Sequence, residues 1–175
     1  MKILVIDDSV KNQEAAKRQL ADHELTVVGS YDEGAQEVGF RSRNQYDAVL
    51  VDLLMPPSKF WMECLGGGNA RAFDGKNDMP IGIFLALLAA LNGGVKYVGM
   101  LTDMNHHQHP AAACVNNLNG GQWGEGEPRP HMIGNAKVVF SNNRSWIVNG
   151  EKDWAALLGY VIECGDAPKN PRPEF

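Results

Sequence analysis

The feature that most constrains the fold is an alternation between short apolar runs and longer segments with helical spacing. The runs are rich in Val, Ile and Leu, which is typical of strands that a parallel sheet buries on both faces. Strand–helix repeats of this kind predict an α/β fold with right-handed crossovers and helices on both faces of the sheet. The predicted strands are 2–6, 25–28, 48–51, 97–101 and 138–140, and the predicted helices are 10–20, 32–38, 81–91, 110–118 and 153–163.

Two stretches rich in Gly and Pro interrupt this alternation, near residues 57–79 and 119–135. Gly and Pro punctuate loops, and loops of this length are usually functional or disordered. With 175 residues the chain has about the length of one domain. We therefore predict one domain over residues 1–165 with two insertions, followed by a loose tail over 166–175, which is rich in Pro and charge.

Composition excludes several classes of protein. Hydrophobic residues make up 44% of the chain and the formal net charge is −5, which indicates a globular protein without the basic surface that nucleic acid requires. The three cysteines have neither disulfide nor zinc spacing, and this favours a reducing compartment. The most apolar segment, residues 81–91, is too short to cross a bilayer, and the N-terminus does not have the pattern of a signal peptide. We expect a cytoplasmic protein with no membrane partner.

Polar residues stand where several predicted strands end. Asp7 and Asp8 follow the first strand, Asp52 follows the third and Thr102 follows the fourth. The carboxyl ends of parallel strands share one edge of the sheet, where α/β proteins bind their ligands. Three converging carboxylates repel each other unless a cation neutralises them, and hard oxygen ligands suit Mg²⁺. A carboxylate beside Mg²⁺ can accept a phosphoryl group, and the Thr102 hydroxyl could bind a phosphoryl oxygen.

Three segments carry a family resemblance. Residues 3–9 (ILVIDDS), 46–56 (YDAVLVDLLMP) and 100–102 (MLT) resemble the corresponding segments of the receiver domains of two-component response regulators. The resemblance is close over residues 1–56 and moderate over 80–103, and elsewhere it concerns only the order of elements. It implies a doubly wound, flavodoxin-like sheet of five parallel strands in the order 2-1-3-4-5.

The resemblance also implies roles for individual residues. Asp52 would be the phosphoacceptor and Thr102 the switch hydroxyl. Asp7 and Asp8 would help to hold Mg²⁺, Asp8 directly, with the backbone carbonyl of Leu54 as a further ligand. The chain would then be a stand-alone signalling module and not an enzyme. It would receive its phosphoryl group from a histidine kinase or phosphotransfer protein and act on an unknown downstream protein, or as a homodimer.

One departure from the family bears on this interpretation. Receivers carry a Lys at the end of the fifth strand, whereas here residues 140–142 read FSN and Lys137 stands at the start of that strand. Arg144 or Lys59 could substitute for it from a loop. The absence of this Lys favours an alternative, a pseudo-receiver that serves as an interaction module without phosphorylation.

A cluster of histidines supports a third hypothesis. His106, His107 and His109 follow the fourth strand near Asp103 and could bind a transition metal. One of them could also act as acid or base in a Mg²⁺-dependent hydrolase built on the Asp7, Asp8 and Asp52 cluster. A solvated loop is the simpler interpretation of these histidines.

Overall fold

The computed structural model describes residues 1–40, 42, 45–57, 78–92, 94–104, 110–119 and 128–164. Most of the predicted insertion 57–79, part of the insertion 119–135 and the tail 166–175 lie outside the described residues. So do Lys59 and the three histidines of the 106–109 cluster.

In the part of the chain that the structure describes, the central sheet has six strands. They are β1 (Lys2–Ile6), β2 (Glu24–Val28), β3 (Ala48–Asp52), β4 (Tyr97–Leu101), β5 (Pro130–Ile133) and β6 (Ala136–Ser141). Their order across the sheet is β2-β1-β3-β4-β6-β5. All neighbouring pairs are parallel except β5 and β6, which are antiparallel. The predicted α/β class is therefore confirmed. The sheet is mostly parallel, and the antiparallel pair departs from the predicted parallel sheet.

The prediction of five strands is wrong, because it omits the edge strand β5. Residues 130–133 (PHMI) resemble part of a Gly-rich loop in the sequence, since a Pro and a half-exposed run do not look like a buried strand. The strand forms because Gly134, at φ 59°, and the next residue turn the chain tightly, so that Ile133 pairs with Ala136. Positive φ of this kind is what a two-residue hairpin turn requires. The predicted fifth strand is β6, and it lies beside β4.

Helices cover both faces of the sheet. They are α1 (Val10–Gln19), α2 (Tyr31–Val38), α3 (Gly82–Leu91), α4 (Pro110–Leu118) and α5 (Trp154–Glu163). Side chains alternate along β1, so Ile3 and Val5 belong to a core cluster with residues of α1 and α5, while Leu4 and Ile6 belong to one with residues of α2, α3 and α4. Burial of both faces explains why the strand sequence is continuously apolar.

A small hairpin follows β6. After a short 3-10 turn (Arg144–Trp146), the strands β7 (Ile147–Val148) and β8 (Glu151–Lys152) form a separate two-stranded sheet. Asn149 and Gly150 both have positive φ, at 54° and 72°, as the turn between two such strands requires. The hairpin lies on α1: the Lys11 ammonium donates to the Asn149 carbonyl at 2.8 Å. It is not among the predicted elements.

Among the described residues, no helix is long and apolar enough to cross a membrane.

Candidate functional site: an acidic pocket with a buried lysine

The carboxyl edge of the sheet brings three of the predicted site residues together. β1 and β3 are parallel neighbours and Ile6 pairs with Val51, so Asp7 and Asp52 follow side by side. One carboxylate oxygen each from Asp7, Asp8 and Asp52 lie within 4.8 Å of one another. Asp7 and Asp52 are buried and Asp8 is half-buried. The predicted convergence of these carboxylates is present in the structure.

The same pocket contains a lysine that the sequence analysis missed. The Lys152 ammonium lies 2.7 Å from Oδ2 of Asp7 and 2.7 Å from Oδ1 of Asp52, and its side chain is 1% exposed. The contact with Asp7 is a hydrogen bond. The contact with Asp52 is a close ion pair without hydrogen-bond geometry, so Oδ1 of Asp52 is buried without a hydrogen bond. An ammonium between two buried carboxylates partly offsets the cost of burying them.

Lys152 reaches the pocket by a route that strand ends alone do not reveal. The last parallel strand ends at Ser141, and the chain returns to the pocket only through β8, immediately before α5. Arg144, one of the two predicted substitutes, is exposed, and Lys59 lies outside the described residues. The sequence signal for this hairpin was the dipeptide Asn149-Gly150, which lies between an apolar pair, Ile147-Val148, and a polar pair, Glu151-Lys152. An Asn-Gly dipeptide is the strongest local indication of a hairpin.

Asp7 is fully occupied by protein groups. Its Oδ1 accepts hydrogen bonds from the backbone N–H of Ser9 at 2.8 Å and from Nδ2 of Asn12 at 3.3 Å. Its Oδ2 accepts from Nδ2 of Asn12 at 3.2 Å and from Lys152 at 2.7 Å. A carboxylate has about four acceptor positions, and these contacts use them. Asp8 and Asp52 are therefore better placed than Asp7 to bind a cation directly.

Burial and charge perturb the titration of the pocket. Burial raises the pKa of Asp52 to about 7, although the Lys152 charge lowers it and the Asp7 charge raises it further. Burial also raises the pKa of Asp8, and the charges of Asp7 and Asp78 act in the same direction. Burial alone would lower the pKa of Lys152, but Asp52 and Asp7 outweigh it and raise that pKa. Protonated Lys152 thus faces three carboxylates.

The donor set fits a hard cation. One ammonium does not balance three carboxylates, and the carboxylates are hard oxygen ligands of the kind that Mg²⁺ and Ca²⁺ prefer. Asp8 is half-buried, so a bound ion could keep water ligands on that side. The cluster can therefore hold a metal ion.

Thr102 and Leu54 lie at the same edge of the sheet. Thr102 is buried directly after β4, and its Oγ1 accepts a hydrogen bond from the Met104 N–H at 3.3 Å. Leu54 follows β3 and is 5% exposed. The next residue, Met55, exchanges two backbone hydrogen bonds with Met79, at 2.8 Å and 3.0 Å, and these hold the segment after Asp52 in place.

A glycine fixes the backbone at Asp52. Helix α3 begins at Gly82, whose N–H donates to the Leu53 carbonyl at 3.0 Å. A Cβ at Gly82 would lie 1.7 Å from the carbonyl oxygen of Asp52. Only glycine permits this approach, so the end of β3 and the start of α3 are packed as one unit behind the pocket.

No family model matches the chain, and no curated protein matches it significantly. Its function must therefore be argued from the pocket.

Proposed function

We propose that the chain is a receiver-like signalling module in which Asp52 accepts a phosphoryl group with Mg²⁺ bound beside it. The observation that carries the proposal is the placement of Asp52, 6% exposed, in contact with the Lys152 ammonium and close to the carboxylates of Asp7 and Asp8. A nucleophile, a cation site and a positive side chain are the groups that phosphoryl transfer to a carboxylate needs.

In this proposal the metal ligands are Asp8, Asp52 and the backbone carbonyl of Leu54. Asp7 supports the site through its charge and its hydrogen bonds to neighbouring groups. A bound Mg²⁺ would neutralise charge on the phosphoryl oxygens.

The chain's own residues would act in one transfer step. A carboxylate oxygen of Asp52 attacks the phosphorus atom, and the bond from phosphorus to the leaving group breaks. The leaving group departs with the electron pair, as acetate from acetyl phosphate or as the imidazole of a phosphohistidine. The departing imidazole takes up a proton. Lys152 keeps its hydrogen bond to Asp7 and exchanges its contact with Asp52 for one with a phosphoryl oxygen. The Thr102 hydroxyl binds a second phosphoryl oxygen.

The fold supports the receiver-like interpretation in its finer detail. The five parallel strands follow the order β2-β1-β3-β4-β6, which corresponds to the order 2-1-3-4-5 of a flavodoxin-like sheet, and β5 is added at its edge. The proposed phosphoryl donor is a histidine kinase or a phosphotransfer protein in the cytoplasm. The proposed output is contact with a downstream protein or with a second copy of the chain.

The test is the intact mass of the protein after incubation with acetyl phosphate and Mg²⁺. We expect a gain of one phosphoryl group that is lost in Asp52→Asn and in the presence of EDTA. Asp47→Asn is the matched control, because Asp47 immediately precedes β3 and binds the Lys2 N–H at the other edge of the sheet. No gain in folded wild-type protein would contradict the proposal.

One observation favours a second candidate, the pseudo-receiver. Lys152 engages both Asp7 and Asp52, so the buried part of the pocket is partly neutralised by the protein itself. A pocket of this kind could be purely structural. This candidate predicts no mass gain, and no change in thermal stability when Mg²⁺ and beryllofluoride are added.

A further inference from the structure

Asn12 is a polar side chain buried in the first turns of α1. It is 6% exposed, and a buried amide is costly unless its hydrogen bonds are made. Its Nδ2 donates to both oxygens of Asp7, at 3.3 Å and 3.2 Å. Its Oδ1 accepts from the backbone N–H of Lys152 at 3.2 Å. Both ends of the amide are therefore bound to groups of the pocket.

These bonds join two parts of the pocket that are far apart in sequence. Asp7 belongs to the end of β1, whereas Lys152 belongs to the hairpin, 145 positions later. Asn12 also accepts, at its backbone carbonyl, the indole N–H of Trp154 at 3.1 Å. The residues on both sides of Asp153 are thus linked to Asn12, Lys152 through its backbone and Trp154 through its side chain.

Other contacts between the hairpin and α1 are more exposed. The Lys11–Asn149 and Arg18–Glu151 contacts are open to solvent, which screens them. The bond between Asn12 and the Lys152 backbone is buried. It is therefore the contact best able to fix the position of the Lys152 backbone that carries the ammonium side chain.

We propose that Asn12 is a positioning residue, which holds Asp7 with one end of its amide and the Lys152 backbone with the other and so places the Lys152 ammonium against Asp52. Its effect on the rate of phosphoryl transfer rests on the proposed function. Its effect on the position of the ammonium does not.

Gln19 provides a matched control on the same helix. Its Nε2 donates to the carbonyl of Lys152 at 3.1 Å, and its Oε1 accepts from the Trp154 N–H at 2.7 Å. Gln19 therefore anchors the same piece of chain as Asn12. Its Oε1 also accepts from the Ala155 N–H at 3.4 Å. The side-chain hydrogen bonds of Gln19 reach only this backbone, whereas those of Asn12 also reach Asp7. Gln19→Ala thus removes a comparable anchor and leaves the Asp7 bonds in place.

The first readout is the ¹⁵N NMR signal of the Lys152 ammonium in metal-free protein, assigned by its loss in Lys152→Met. Wild type and Gln19→Ala should give the signal of a protected ammonium, whereas Asn12→Ala should lose or shift it. Asn12→Asp keeps an acceptor for the Lys152 N–H but turns a repelling oxygen toward Asp7, so it should also shift the signal. An unchanged signal in both folded Asn12 variants would overturn the proposal.

The second readout is the rate of phosphorylation by acetyl phosphate at saturating Mg²⁺. Displacement of a reacting group by about 1 Å can cost about 100-fold in rate, so we expect a loss of about 10-fold to 100-fold in Asn12→Ala. Gln19→Ala should stay within about 2-fold of wild type, since it leaves the Asn12 bonds to Asp7 and to the Lys152 N–H in place. Equal losses of rate in the two variants would mean that Asn12 only anchors the hairpin, and would refute its role as a positioning residue.

The two readouts separate this proposal from the proposed function. If wild type is not phosphorylated, the proposed function fails and the NMR comparison alone decides whether Asn12 places the ammonium. If wild type is phosphorylated and Asn12→Ala reacts at the same rate, the role of Asn12 in the reaction is refuted while the phosphoacceptor role of Asp52 stands.

Discussion

Replacing Asp52 by Asn should stabilise the metal-free protein above neutral pH. In the wild type two buried carboxylates, Asp7 and Asp52, share one ammonium, so at high pH the buried pocket keeps an uncompensated negative charge. Asn has nearly the same shape as Asp and no charge. In the variant Lys152 pairs with Asp7 alone, and the buried charges balance.

The magnitude follows from the pKa of Asp52. Burial raises this pKa from 3.8 to about 7, so the folded protein holds this proton more tightly than the unfolded chain does. The resulting stability is complete below about pH 4 and is lost as the pH rises through about 7. Each tenfold change in proton affinity corresponds to about 1.4 kcal/mol, which gives an upper limit of about 4 kcal/mol. The pKa of about 7 already includes the attraction to Lys152. We expect a gain of about 1–4 kcal/mol at pH 8, since an amide does not reproduce every contact of the protonated carboxyl.

The assay is urea denaturation in EDTA between about pH 4 and pH 8.5. The gain in Asp52→Asn should grow with pH, and Mg²⁺ should reduce it by neutralising Asp52 in the wild type. Asp47→Asn is the control of opposite sign, because the bond from the Lys2 N–H lowers the pKa of Asp47. Ionised Asp47 stabilises the fold at pH values above the usual pKa of an Asp, and this stabilisation is lost as the pH falls through the lowered pKa of Asp47. If Asp52→Asn were less stable than wild type at pH 8, the attraction of Lys152 would outweigh burial, and the reasoning would be refuted.

Three further substitutions, one of them with a matched control, probe the surroundings of the pocket. Lys152→Met leaves two buried carboxylates without their cation and should cost about 3–5 kcal/mol by urea denaturation in EDTA, part of which Mg²⁺ should restore. Gly82→Ala places a Cβ 1.7 Å from the Asp52 carbonyl and should cost at least about 2 kcal/mol, whereas Gly94→Ala, with open space around it, should cost little. Gly150→Ala forces a side chain to φ 72° and should cost about 1–2 kcal/mol; a neutral result in that variant would mean that the hairpin turn relaxes freely.

The parts of the structure that the sequence predicted are those set by local pattern. The apolar runs at β1 and β3 are continuous because both faces are buried, and this identifies them as parallel strands. Once the strands are parallel and adjacent, Asp7 and Asp52 must lie close together, because Asp7 directly follows β1 and Asp52 ends β3. The convergence of the carboxylates therefore required no knowledge of long-range packing.

The parts that were missed depend on short elements and distant partners. Strands β7 and β8 have two residues each, too few to show any periodicity, and Lys152 resembles an ordinary surface lysine in the sequence. Only its contacts with Asp7 and Asp52 mark it as a pocket residue. Asn12 was overlooked for a similar reason, since an Asn in a helix is usually solvent-facing. Strand β5 was missed because Pro130 and its half-exposed neighbours resemble a loop.

The separation of 145 positions between Asp7 and Lys152 has a consequence for synthesis on the ribosome. When β1 and β3 of a nascent chain have left the exit tunnel, Asp7 and Asp52 are present but the Lys152 ammonium that pairs with them is not. The hairpin and α5 follow the other described elements, and until they leave the exit tunnel the carboxylates do not have the Lys152 ammonium to offset their repulsion. The site should therefore be the last region of the domain to close, and ribosome-bound chains that end before the hairpin should leave Asp52 open to solvent.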